Sequence, residues 1–461
     1  MKTTLLITLY FSILFLGCKK DSFITSPDAT ISVSADTLHY DTVFTSAGSI
    51  TQSFKIFNDN NQKLRLSSVK LMGGSASPFN INVDGIATSE AINLEINAND
   101  SLYVFVQVTI DPASGNLPFI VRDSIQISFN GNTRLVQLEA WGQNAHFLRN
   151  KEINTAETWA NDLPYVIQGY LYVATNQTLT IEKGCRMYVH ADAPVIIDGT
   201  LVVNGEKDTI DRVYFNGDRL DEPYKDFPAS WPGLYFRTTS KDNVMNYAVI
   251  RNAYQSIAME DPSPNLKPKL VLNECVIDNS YDAGIIALNS SITATNCLVS
   301  NCGKNVALAR GGEYTFSHCT IASYSNNYIQ HRDPVLLVSN TDGTNTASLT
   351  ALFRNCIIWG EGGDVEDEVV VIKGASDYVN FDYNLWKVKT PPQDILSAGI
   401  ISNQDPQFDS INVSKNYYDF RLNKKNSPAV EAGTASSVAI DLDGAVRPVG
   451  VGPDLGCFEK Q

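Results

Sequence analysis

The sequence predicts an all-β protein, an N-terminal β-sandwich followed by a right-handed, single-stranded parallel β-helix. Three observations predict it. Tyr and Phe number 20 each and Met only 5 in 461 residues, and Asn, Ser and Thr are frequent, a balance that favours strands and turns over helices. Residues 30–145 break into short alternating runs with Asn- and Gly-bearing turns between them. Beyond them, strand-type segments recur at intervals of 22 residues, the length of one β-helix coil.

The first region alternates clearly in Ser53-Phe54-Lys55-Ile56-Phe57, in the run from Leu102 to Val108, and in Ile125-Gln126-Ile127-Ser128-Phe129. Asn58-Asp59-Asn60-Asn61 and Asn130-Gly131-Asn132 supply turns between such runs. This pattern over residues 30–145 is that of an immunoglobulin-like sandwich without the Cys-Trp-Cys core of antibody domains. Phe54-Lys55-Ile56-Phe57-Asn58, the run from Leu64 to Val69 and Ser77-Pro78-Phe79 resemble the ASH-like sandwich domains of bacterial surface proteins.

The repeat of the second region, residues 146–425, is carried by Asn273-Glu274-Cys275-Val276-Ile277, Asn296-Cys297-Leu298-Val299, His318-Cys319-Thr320-Ile321 and Asn355-Cys356-Ile357-Ile358. Cys275, Cys297 and Cys319 are 22 residues apart. Ala248 opens an equivalent stretch 27 residues earlier and Cys356 follows 37 later, so these two coils carry insertions. Leu179 and Leu201 repeat the 22-residue step nearer the start. Alternate residues of a strand share a face. Ile250, Ile277, Val299, Ile321 and Ile358, two places after each anchor, are therefore expected to point inward with the cysteines. Asn252, Asn279, Asn301, Ser323 and Gly360, two places further on, suit a turn with left-handed backbone, where stacked Asn side chains can bond to one another. The cysteines then form an interior ladder of free thiols. Disulfides between adjacent coils are the alternative, strained in parallel register.

The chain carries a formal charge of −15, which argues against a nucleic-acid partner, since phosphate binding needs a concentrated basic face. At the N-terminus Lys2 precedes an apolar run from Leu5 to Leu16 that is too short to span a bilayer. It ends in Leu14-Phe15-Leu16-Gly17-Cys18, which resembles a bacterial lipobox, with Phe15 where Leu is usual. The resemblance implies a signal peptide over 1–17, a lipid on Cys18 that anchors the chain to a membrane, and a linker over 18–29. Several acyl chains on one residue make such an anchor effectively permanent. Lys19-Lys20-Asp21 also resembles the surface-export signal of the Bacteroidota.

The C-terminal residues 426–461 are expected to cap the helix. They hold Ser427-Pro428-Ala429-Val430-Glu431-Ala432-Gly433, then Asp441-Leu442-Asp443-Gly444, then Gly452-Pro453-Asp454-Leu455-Gly456-Cys457-Phe458-Glu459. These segments resemble the choice-of-anchor Q module, with Cys457 where Ala is usual and Glu431 where Asp is usual. Together with the lipobox, the sandwich and the coils, almost the whole chain resembles a family of β-helix lipoproteins of the Bacteroidota with a pectate-lyase-like fold. The resemblance implies an exported protein held in the outer membrane, facing the periplasm or the cell surface. Asp followed by Ser or Thr and an aliphatic residue, as in Asp100-Ser101-Leu102 and Asp123-Ser124-Ile125, resembles the O-glycosylation sequon of that phylum. A polar pair at the start of a strand accounts for it equally.

Chemistry is expected on the insertions. The segment 216–231 brings together Asp218, Arg219, Asp221, Glu222, Tyr224, Asp226 and Trp231. Acidic groups beside aromatic rings suit a sugar or Ca²⁺, with no cofactor otherwise expected; a solvated acidic loop is the plain alternative. Arg310 and Arg332, again 22 apart, are expected to stack on neighbouring coils beside His331 and Asp333, the grouping a polysaccharide lyase would use. A charged ladder pairing with nearby carboxylates is the alternative. Further insertions lie at 261–268 and 325–347, and Asp364, Glu366, Asp367 and Glu368 read as a solvated acidic loop. The leading expectation is a non-enzymatic surface lipoprotein that presents its β-helix to a glycan or another surface component. The competing ones are a Ca²⁺-dependent lyase or glycosidase acting on a uronic-acid glycan, and a purely structural envelope component.

Cys18→Ala is expected to move the protein from the detergent phase to the aqueous phase in a detergent phase-partition experiment and to abolish fatty-acid labelling. An unlabelled wild-type chain would overturn the lipid assignment.

Overall fold

In a computed structural model of the chain, residues 22–44, 51–109, 119–221, 223–423 and 426–461 are described. The leader 1–17, Cys18, residues 19–21 and Glu222 lie outside the described residues. The chain divides into two compact units, Met1–Asn144 and Ala145–Gln461.

In the first unit alternation produces a sandwich of two five-stranded sheets. One sheet runs in the order Ile31–Val33, Gln52–Asn58, Ser101–Val108, Phe79–Val83, Ile86–Ala87; the other in the order Thr37–Phe44, Asn132–Gln143, Phe119–Phe129, Leu64–Leu71, Glu90–Ile96. Leu102, Val104, Val106 and Val108 are buried while Tyr103 and Phe105 between them are exposed, as a half-buried strand requires. Asn130 and Gly131 turn the chain with φ of 44° and 83°, so Phe129 pairs with Asn132 across a two-residue hairpin. Asn58, in the turn that closes its strand, is buried and donates to the Ile96 and Asn97 carbonyls at 3.1 and 2.8 Å.

The second unit is a parallel β-helix whose coils form one continuous ladder of 26 strands. Leu179 pairs with Leu201 one coil later, in the register the spacing predicts. On the cysteine-bearing face, Val276 pairs with Leu298, Leu298 with Thr320 and Thr320 with Ile357. Cys275, Cys297, Cys319 and Cys356 therefore stack, and all are free and buried. Their thiols donate backwards along the ladder, Cys275 to the Met245 carbonyl at 3.3 Å and Cys319 to that of Ala294 at 3.6 Å. Ile250, Ile277, Val299, Ile321 and Ile358 stack beside them in the same core. On the face that follows the insertions, Phe316, Phe353 and Phe381 form a second interior stack with ring centroids 5.3 and 4.9 Å apart.

The turn column is left-handed only in part. Asn252, Asn279 and Asn301 have φ of 61°, 57° and 51°. Ser323 and Gly360 stay extended, because the strands Thr320–Tyr324 and Ile357–Glu361 run straight through them into the longer insertions. A second left-handed column stands one residue before each anchor, at Tyr247, Glu274, Asn296, His318, Asn355 and Tyr383, with φ between 47° and 55°. Glu and Tyr are uncommon in this conformation, so residue type conceals a position that the repeat itself displays.

The C-terminal segment lies along the flank of the coils. The cysteine-bearing face turns Val249, Val276, Leu298, Ile357 and Leu385 outward, and Phe420, Leu422, Leu442, Leu455 and Phe458 cover them in a second core. Burying a large apolar side chain contributes about 1.5–3 kcal/mol, so this outer layer is a substantial part of the fold. Polar clasps fix its register. Asn355 donates to the Thr434 carbonyl at 2.8 Å and Asn296 to that of Ile440 at 2.8 Å. Arg447 is buried, donates to His318 Nδ1, and pairs with Glu459 at 3.3 Å. Burial, with the Arg447 charge alongside, pulls the His318 pKa down to about 3, so its imidazole is a neutral acceptor at ordinary pH.

All seven thiols from Cys185 to Cys457 are buried, and burial pushes those of Cys275, Cys297 and Cys319 well above their ordinary values. Iodoacetamide is expected to modify none of the seven in the native chain and all of them in denaturant, read by peptide mass spectrometry. Cys297→Ser is expected to lower stability by about 1–3 kcal/mol through burial of a more polar group.

Candidate functional site

The segment 216–231 uses most of its charge internally. Asp218 Oδ2 lies 2.6 Å from His190 Nδ1. Arg219 donates twice to Asp221, at 2.8 and 2.9 Å, and lies over the Tyr224 ring at 4.0 Å. Tyr224 packs edge-on against Phe227, which meets Tyr328 of the next insertion at 5.0 Å. Trp231 departs from the expectation. It is 1 % exposed and its indole N–H donates to the Arg251 carbonyl at 2.8 Å; it is a core residue at the start of the strand Trp231–Phe236 and offers no ring face to a ligand. Of this group Asp226 lines a cleft.

The arginine grouping is not assembled. The insertion shifts the register, so Val306 pairs with Leu336 and Leu308 with Val338. Arg310 follows the end of this strand pair and Arg332 precedes its start, so the 22-residue spacing does not stack them. Arg310 is paired with Asp342, and Arg332 donates to Gln330. Asp333 is exposed, but His331 is 2 % exposed, with its Nε2 2.8 Å from Glu368 Oε1. Glu368 is buried too, and accepts from the Val335 N–H. The acidic run 364–368 is therefore not wholly solvated: its last member is a core residue.

The side chains that do converge were met in the sequence as structural turns. The amide of Asn252 donates to Asn216 Oδ1 at 2.9 Å and to the Lys225 carbonyl at 2.8 Å. Asn279 donates to Asn252 Oδ1 at 2.7 Å and to the Asp226 carbonyl at 2.9 Å. This ladder of amides staples the short turn Tyr224–Asp226 to the flank of the coils. Beside it Arg251, Asp278 and Ser300 occupy one outward column in successive coils. Asp278 accepts from Ser300 Oγ at 2.7 Å and faces Arg251 Nε at 3.5 Å. The antiparallel pair Ser410–Asn412 and Tyr417–Asp419 stands over the other side.

Between these walls lies a cleft of about 450 Å³, floored by Arg251, Asp278 and Ser300 and rimmed by Asn279, Asn301 and Asn326, with Lys415, Tyr417 and Tyr418 opposite. Tyr417 is 54 % exposed. Burial, with Asp278 nearby, raises the Tyr418 phenol above its ordinary pKa, so it is a neutral donor at neutral pH. The cleft offers amide, hydroxyl and phenol groups that both donate and accept, with one charge pair and an aromatic ring. Asp226 and the Asn252, Asn279 and Asn301 column are marked in the sequence, whereas the Tyr417-Tyr418 doublet is a signal passed over. Among the described residues no three His, Cys, Asp or Glu side chains gather into a metal site. Elsewhere, Asp100 and Asp123 accept from the N–H groups of Ser101 and Ser124 at 2.8 and 2.7 Å, so at these two places the Asp-Ser pair works structurally.

No protein-family profile matches the chain, and neither does any curated protein. Among solved structures the chain is similar to a family 123 glycoside hydrolase from Clostridium perfringens, at 11 % identity over 26 % of this chain and 30 % of that one, with a TM-score of 0.18. It is also similar to the ASH/PapD-like domain of human CEP192, at 8 % identity over 28 % of this chain and all of that one, with a TM-score of 0.19. The chain spans less than a third of the length of the hydrolase.

The insertion 261–268 is held by a buried cation. Lys269 is fully buried and its ammonium donates to the carbonyls of Glu260, Arg237 and Thr238 at 2.6, 3.2 and 3.3 Å. Burial pulls its pKa down to about 8, against the opposing pull of Asp261 and Glu260. Below about pH 8 the folded and unfolded chains are both protonated here. Between pH 8 and about 10.4 only the folded chain releases the proton, so the unfolded state binds more protons and stability rises with pH. Wild type is expected to gain on the order of 2 kcal/mol relative to Lys269→Met from pH 7.5 to pH 10 in urea unfolding. A flat difference would mean that the lysine is not desolvated in the native state.

Proposed function

We propose that the chain is a lipid-anchored, exported protein of the Bacteroidota β-helix lipoprotein type that binds a glycan without cleaving it, in the cleft between the amide ladder and the Tyr417–Tyr418 wall. The observation that carries the reading is the lining of that cleft. Small-molecule sites measure roughly 300–1,000 Å³ and orient their ligand with a few convergent polar groups, and this cleft of about 450 Å³ presents planar amides, a hydroxyl, a charge pair and an exposed tyrosine ring. The lining sets Arg251 and Lys415 beside Asp226 and Asp278, and with Arg251 held by Asp278 it is Lys415 that would meet a carboxylate or sulfate group of the glycan. A binding role rather than catalysis is supported by Asp278, which is engaged by Arg251 and Ser300 at once. A general acid or base needs a carboxyl group free to exchange its proton with the substrate.

The full chain is to be placed on a glycan array and incubated with uronic-acid polysaccharides with and without Ca²⁺. Binding of an anionic glycan, weakened about tenfold or more (~1.4 kcal/mol) by Tyr417→Ala and by Asp278→Asn, is expected, with no unsaturated product released. Release of unsaturated uronates that is lost in Arg332→Ala would overturn the reading in favour of a lyase.

A further inference from the structure

The sandwich carries a recess that the proposed function leaves without a role. Its outer sheet face is built by the same alternation that fills its core. In the strand Ser101–Val108 the residues turned outward are Tyr103, Phe105 and Gln107; Tyr103 and Phe105 are 42 % and 39 % exposed and stack with centroids 5.6 Å apart and planes 11° from parallel. Antiparallel pairing sets Asn82 opposite Phe105 and Asn80 opposite Gln107 on one side, and Ser53 opposite Phe105 on the other. The short edge strand Ile86–Ala87 and the left-handed turn at Asp84 and Gly85 raise one wall. A cavity of about 450 Å³ results, lined by Phe105, Asn80, Asn82, Gln107, Thr51 and Ala87 among others.

We infer that this recess is a second saccharide site, selective for a neutral sugar ring seated on Phe105. Phe105 is backed by the stacked Tyr103 ring and presents its exposed side to the recess, where an aromatic face offers a flat apolar surface to the C–H face of a sugar ring. The groups around it are side-chain amides and a hydroxyl, which both donate and accept as ring hydroxyls do. No lining residue is charged, in contrast to the Arg251, Asp278 and Lys415 of the helix cleft, so the two sites sort ligands by charge. Asn82 supplies an independent indication. Its Oδ1 is enclosed and accepts no hydrogen bond among the described residues, although enclosed polar atoms are nearly always paired. An amide left in that state can turn about its Cβ–Cγ bond and complete its hydrogen bonds with a ligand hydroxyl.

The test is native gel electrophoresis of the full chain through gels containing neutral polysaccharides, namely glucans, mannans and galactans of different linkage. At least one is expected to retard the wild type. Phe105→Ala and Asn82→Ala should weaken that retardation about tenfold or more, Phe105→Trp should keep it, and Tyr417→Ala in the helix cleft should leave it unchanged. Thermal melting checks that the variants fold. Retardation by no neutral polysaccharide, retardation untouched by Phe105→Ala, or a Phe105-dependent dimer in sedimentation would overturn the inference. Because Tyr417→Ala reports on the other site, failure here and failure of the proposed function are distinguishable.

Discussion

Successive coils of the β-helix hydrogen-bond in parallel register at a spacing of about 4.8 Å, and a single coil cannot bury its inner face alone. Every inward side chain must therefore pack on the one above and the one below, as Cys275, Cys297, Cys319 and Cys356 do, and Phe316, Phe353 and Phe381. The same register governs the outside. It lines up Val249, Val276 and Leu298 as an apolar stripe that the C-terminal segment covers, and it lines up Arg251, Asp278 and Ser300 as a polar one that is left open. A cleft arises where the cover ends.

Insertions build on this lattice. Residues added at a corner of a coil leave the ladder intact and build a wall over it, as 216–231 does. The wall then needs fastening, and the left-handed Asn252 and Asn279, whose amides already bond along the column, supply donors to the Lys225 and Asp226 carbonyls. The buried ammonium of Lys269 performs the same service for 261–268 by collecting three carbonyls. Several loop charges are engaged within the protein. Asp218, Arg219, Arg310 and Glu368 all have partners close by.

The fold was legible in the sequence because its signals are periodic. Strand alternation placed Leu102 through Val108 in the sandwich, and the 22-residue interval placed the cysteine and Ile/Val columns, whose thiols the structure leaves free. The left-handed column at Glu274, Asn296 and His318 escaped because its residue types vary while its backbone does not. The stacking expected of Arg310 and Arg332 failed for a related reason. Equal spacing means equal register only where no residues are inserted, and the 37-residue coil begins between them. Trp231 and His331 looked like site residues by type, but each lies where a strand begins or an insertion folds back, and burial claimed both.

By itself the sequence determined the repeating architecture, the partition into a sandwich and a helix, and the identity of the cysteine and Ile/Val columns. Local periodicity and hydrophobic pattern suffice for those, since each residue's partner is one coil away. Which outward residues form a site was decided only by the tertiary structure. The helix cleft needs Asn279, Asp278 and Tyr417, brought from coils and from the C-terminal segment. The sandwich recess needs Asn82 opposite Phe105, a pairing of strands distant in the chain. No local pattern encodes these encounters, because they depend on where an insertion or a terminal segment stops covering the sheet beneath it.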